Sequence, residues 1–123
     1  MKEELLFVYN ASSDLFSTVT DFTHKIISPS TYQCQLCALT YGNFSMKLEW
    51  KSFIERLPMK TGFMHKDEFE KQYHIKTSLP AVFISSKGVV KEIISQQQIN
   101  SCQTLEELKV IVNKELKNYT DEH

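Results

Sequence analysis

The sequence predicts an α/β domain in which helices cover both faces of a central mixed sheet of about four strands. Three observations predict it. Leu5–Tyr9 is a near-continuous apolar run of strand length, "LPAVFISSKGVVKEII" (79–94) reads as two strands around a tight turn, and helical apolar periodicity lies before and after them.

Leu5–Tyr9 mixes aromatic and β-branched residues and suits a strand buried on both faces. Beyond "NASSD", Leu15, Phe16, Val19, Phe22, Ile26 and Ile27 recur at three- and four-residue steps, the pattern of an amphipathic helix that Pro29 ends. Residues 29–44 have no clean period and read as a loop, or as a short strand near Leu36–Tyr41. A second helix is expected from about Ser45 to Leu57, with Met46, Trp50, Phe53, Ile54 and Leu57 on one face. "KTGFMH" then reads as a short strand and "KDEFEKQY" as a short helix. Ala81–Ile84 and Val89–Ile94 form the hairpin, where Gly88 supplies the positive φ of the turn. A polar loop leads to a closing helix that opens on a capping box, Thr104 with Glu107, and buries Leu105, Leu108, Ile111, Val112 and Leu116.

Composition narrows the function classes. At 123 residues, 41% hydrophobic and 24% charged, the chain fits one globular domain spanning 1–123. A net charge of −1 with interspersed signs gives no basic face for nucleic acid or an anionic membrane. "MKEELLFVYNA" has too short an apolar run for a signal peptide, so the expectation is a cytoplasmic protein. No phosphate-binding glycine loop occurs, there is no G-x-S-x-G elbow, and no cofactor is implied.

"QYHIKTSLPAVFISSKGVVKEII" resembles the second half of a thioredoxin: a short helix, a loop to an apolar residue and a proline, then a strand, a tight turn and an antiparallel strand. The resemblance covers roughly residues 60–117, and it implies a thioredoxin-like sandwich with a cis bond between Leu79 and Pro80, packed against a redox site. The chain as a whole also resembles small bacterial proteins, from which no function follows. One departure matters. Thioredoxins carry their C-x-x-C between the first strand and its helix, where this chain has Asn10–Asp14. Its own C-x-x-C, Cys34 and Cys37, lies in what reads as an insertion of residues 29–58.

Three readings of that pair stay open. A redox dithiol needs two adjacent sulfurs and one activated thiol, and neither Gln35 nor Leu36 brings a positive charge. Two small, buried, inert thiols need nothing further. A structural zinc site needs four ligands, and Cys102, His24, His65 or His74 could complete one only by converging in space.

Two further candidates have plainer explanations. Ser12 and Ser13 stand where the family places its cysteines and could bind a small thiol's carboxylate, but N-capping explains them as well. Tyr32, Tyr41, Phe44, Trp50 and Phe53 could line a partner surface, and more simply anchor the insertion to the core.

Two functions follow. One is a cytosolic thiol–disulfide protein acting on a thiol or disulfide protein, or on a small thiol. In it Cys34 attacks, Cys37 resolves, and Leu79 and Pro80 shape the substrate site. The other is a non-enzymatic binding or scaffold protein with inert cysteines, or a zinc-stabilised version of it. The second asks less of the sequence. The first makes the sharper claim.

Overall fold

A computed structural model describes residues 3–10, 34–41 and 46–122. The helix expected over 15–27 lies outside these residues, as do Ser12, Ser13, His24, Tyr32 and Phe44.

The described elements are β1 (Glu4–Val8), α1 (Gln35–Thr40), α2 (Leu48–Glu55), β2 (Lys60–Met64), α3 (Lys66–Tyr73), β3 (Ala81–Ser86), β4 (Val89–Ile94), α4 (Gln96–Asn100) and α5 (Leu105–Glu122). The strands form one mixed sheet in the order β2-β1-β3-β4. β1 pairs parallel with β2 and antiparallel with β3, and β3 pairs antiparallel with β4.

Sheet position explains the sequence patterns. β1 and β3 are interior strands, so they read as unbroken apolar runs and are buried along most of their length. β2 and β4 are edges, and β4 turns Lys91 and Glu92 to solvent. Charges there discourage strand addition by another chain.

Both faces of the sheet are covered. On one, Leu5, Phe7, Tyr9, Val82 and Ile84 pack under α1, α2, α4 and α5 through Leu36, Trp50, Ile54, Ile99, Leu108 and Val112. On the other, Leu6, Val8, Ala81 and Phe83 meet Phe69 of α3, whose ring centroid lies 4.7 Å from that of Phe83. Trp50 is fully buried, edge-on to Phe7 and stacked on Phe53, each at 5.4 Å. The core reading of the aromatics holds for it.

Three local expectations need correction. Residues 35–40 are helical, not a strand or loop. Cys34 caps the helix, and Thr40 Oγ1 donates to the Leu36 carbonyl at 2.7 Å. The second helix begins at Leu48 rather than Ser45, because Met46 bridges Tyr41 instead. The supposed polar loop after β4 contains α4, opened by a box in which Ser95 Oγ accepts from Gln98 N and Gln98 Oε1 from Ser95 N. The hairpin turn has Gly88 at positive φ, 81°, as expected, and Lys87 joins it at 55°, as a two-residue turn with two left-handed positions requires.

Candidate functional site

The site is built at the exit of β1. Val8 pairs with Ala81, so the chain leaving β1 through Tyr9 and Asn10 runs beside the Leu79–Pro80 segment entering β3. The Leu79–Pro80 bond is cis, and both residues are buried. Tyr9 N donates to the Met64 carbonyl at 2.9 Å, which carries the β1–β2 ladder one step past the strand. The next amide is that of Asn10. It points at Cys34 Sγ, 3.4 Å away and 24 residues later in the chain.

Cys34 has extended backbone (φ −137°, ψ 92°), and its sulfur accepts a second amide, from Cys37, at 3.2 Å. A helical turn brings residues three apart onto one face. The Cys34 and Cys37 sulfurs accordingly sit at disulfide-bonding distance, with Cα atoms 5.2 Å apart. Had 36–41 been a strand, the side chains would have pointed apart.

Burial separates the two thiols. Cys37 is 1% exposed and Cys34 6%. Beneath them, Tyr9 is buried edge-on to Tyr41, with ring centroids 5.7 Å apart. Burial and then the neighbouring Tyr41 hold the Tyr9 phenol far above its ordinary range, so it stays neutral. His65, at the end of β2, lies 5.9 Å ring to ring from Tyr9, and its Nδ1 is 3.0 Å from Glu68 Oε1.

Cys102 is the third cysteine, buried and free, and its Sγ donates to the Gln98 carbonyl at 3.5 Å. Burial first, then the Glu107 carboxylate, push its thiol up, which leaves it a poor nucleophile. It borders an open groove of about 420 Å³ shared with Ser101, Glu106, Glu107, Val110 and Ile111, a groove lined by neither Cys34 nor Cys37.

Of the residues singled out in the sequence, Cys34 and Cys37 are brought together, while Leu79 and Pro80 run beside the exit of β1, where Asn10 meets Cys34. Ser12 and Ser13 lie outside the described residues. Among the described residues no group of three or more His, Cys, Asp or Glu could hold a metal ion. No described helix is long and apolar enough to cross a membrane.

Sequence reasoning missed three contacts. They are the Asn10 amide on Cys34, the Gln35 side chain on the Cys102 carbonyl at 2.6 Å, and the Gln96 side chain on the Leu79 carbonyl at 3.0 Å. A signal existed for the last two, because Ser95-x-x-Gln98 is a helix-start pattern that places α4. No protein-family model matches the chain, and neither does any curated protein or solved structure.

Proposed function

We propose that this chain is a cytosolic, thioredoxin-like thiol–disulfide protein in which Cys34 attacks and Cys37 resolves. The carrying observation is that two backbone amides, of Asn10 and Cys37, converge on one sulfur. A thiolate accepts such bonds far better than a thiol does, so both favour the reactive form of Cys34. Each bond to a charged acceptor is worth roughly 1.5–3 kcal/mol. Two of them match in order the several kcal/mol that burying the charge costs. Cys37, buried more deeply, suits the thiol that waits.

The fold supports the reading in its details. A mixed four-strand sheet with a parallel β1–β2 pair supports the thioredoxin resemblance, whereas the C-x-x-C stands later in the chain than thioredoxins carry theirs. Cys34 stands 24 residues after Asn10 in the chain, and its sulfur nonetheless meets the Asn10 amide.

The chemistry balances as a two-electron exchange. Cys34 thiolate attacks one sulfur of a substrate disulfide; that bond breaks and the leaving thiolate takes a proton. Cys37, deprotonated, then attacks Cys34 Sγ in the mixed disulfide and expels the second substrate thiolate. The substrate ends as two thiols and the protein as the Cys34–Cys37 disulfide. Its partner is a disulfide protein or a small disulfide, and a thiol reverses the steps.

A second reading rests on burial. With both cysteines at 6% exposure or less, the same fold serves as a binding or scaffold protein with inert cysteines. Mass-tagged thiol trapping across glutathione buffers separates the two, with Cys34→Ser and Cys37→Ser as controls. A reversible transition between about −200 and −300 mV is expected for a cytosolic couple. Thiols that stay reduced, and react only after denaturation, support the inert reading instead.

A further inference from the structure

The two cysteines are unequally accessible, and neither stands clear of the surface. Cys37 is 1% exposed and Cys34 6%, with Leu36 fully buried between them. Leu36, Cys37 and Leu39 belong to the core cluster under the sheet's helical layer. Gln35, the remaining residue of the motif, is half-buried, and its Nε2 donates to the Cys102 carbonyl at 2.6 Å. Asn10, whose amide lies 3.4 Å from Cys34 Sγ, is half-buried as well.

Access and electronics disagree over where a thiol attacks the joined pair. Exchange is faster when the more acidic sulfur leaves. Two amides on Cys34 make it the better leaving group, which by itself sends attack to Cys37. Cys37 offers almost no surface to an incoming nucleophile. A leaving-group preference scales a rate, whereas a covered sulfur has no approach at all. Access decides: attack falls on Cys34, and Cys37 leaves.

The same burial limits what can attack. In a disulfide the two Cα atoms are about 4.4–6.8 Å apart. A cysteine of a folded protein must therefore bring its main chain and flanking residues within that range of the Cys34 Cα. A residue 6% exposed, with Asn10 and Gln35 half-buried beside it, leaves no such berth. A small thiol brings only a short carbon chain.

We infer that the pair exchanges with low-molecular-weight thiols and disulfides at Cys34 Sγ, and not with the cysteines of folded proteins. The inference rests on the redox reading above and narrows its partner. In the reducing direction a small thiolate bonds to Cys34 Sγ. The Cys34–Cys37 bond breaks, and Cys37 leaves as a thiolate that takes a proton from solvent. A second small thiolate attacks the small molecule's sulfur in the mixed disulfide and frees Cys34. Two electrons pass, leaving the protein a dithiol and the small thiols a disulfide.

The test uses the oxidised wild-type chain and reads its rate of reduction by mass-tagged thiol trapping. Mercaptoethanol and glutathione are the small probes; reduced thioredoxin and reduced protein disulfide isomerase are the folded ones. Each rate is divided by the same reagent's rate on a disulfide in a short unstructured peptide, which removes differences in thiol acidity. The normalised rate is expected to drop less than about tenfold for mercaptoethanol and more than about a thousandfold for both folded dithiols, with glutathione between. Acid quenching at early times and peptide mapping should find the small thiol on Cys34.

A pair that neither small thiol reduces overturns the redox reading and the inference with it. Folded dithiols whose normalised rates match those of the small thiols overturn the inference alone. So does a small thiol mapped to Cys37, because access would then not be what decides.

Discussion

The amide of Asn10 and the sulfur of Cys34 are 3.4 Å apart, although 24 residues separate them in the chain. The contact joins the exit of a central strand to the cap of a helix six residues long. It makes Cys34 different from Cys37, whose own amide is spent on its partner's sulfur.

In the reduced protein Cys34 is therefore expected to alkylate at least tenfold faster than Cys37 or Cys102, and at lower pH than an unstructured cysteine. Peptide mapping of a timed, limiting alkylation reads this directly. Since it is the backbone of Asn10 that faces the sulfur, Asn10→Ala should leave the rate within about twofold. Cys37 labelling first would reverse the assignment of attacker and resolver.

Trp50 has a buried indole N–H with no acceptor among the described residues. Trp50→Phe removes that unmet donor and part of the ring together, so the losses offset, and a cost below about 1.5 kcal/mol is expected. Trp50→Ala removes the packing against Phe7 and Phe53 and should cost about 3–5 kcal/mol. Urea unfolding of both variants checks the contrast. Equal losses would mean that the indole N–H is satisfied.

The start of α3 gives a pH prediction. Glu68 accepts from the His65 backbone amide at 2.9 Å, and that bond holds its carboxyl below the usual range. A depressed folded value means that the stabilisation is whole above the ordinary carboxylate range and lost as pH falls through the folded one. The group is largely exposed, so solvent screening keeps the effect under about 1 kcal/mol. Glu68→Gln keeps an acceptor and cannot titrate here, so the acid limb of its stability curve should flatten. A limb with wild-type slope would assign that acid sensitivity to other groups.

Tyr119 near the end of α5 donates its hydroxyl to Glu3, just before β1, and its ring is buried. Tyr119→Phe is expected to lose about 1–2 kcal/mol and to speed amide exchange in the last turns of α5. Unchanged exchange there would show that the helix end is held by packing alone.

Much of this architecture is legible in the sequence, for definite reasons. β1, β3 and the β3–β4 turn announce themselves because interior strands must be apolar throughout and because a two-residue turn needs left-handed positions. α5 is long enough for periodicity and capping to agree. α1 is six residues with no clean apolar spacing, so nothing local separates it from a strand. Its helical state is fixed by packing of Leu36, Cys37 and Leu39 into the core, which no window of sequence contains. The site was half legible. The C-x-x-C and Leu79-Pro80 are local patterns, whereas the amide that meets Cys34 Sγ belongs to the backbone of Asn10, so residue type gives no sign of it.

The sheet order has a consequence for synthesis. β1 lies between β3 and β2, so its edges stay open until residues 60–64 and then 81–86 have emerged. Cys34 and Cys37 emerge before either neighbour. Their cover on the α4 and α5 side, Ile99, Cys102, Leu108 and Val112, comes last. On a ribosome the two thiols thus pass through a period of open exposure that the finished protein ends.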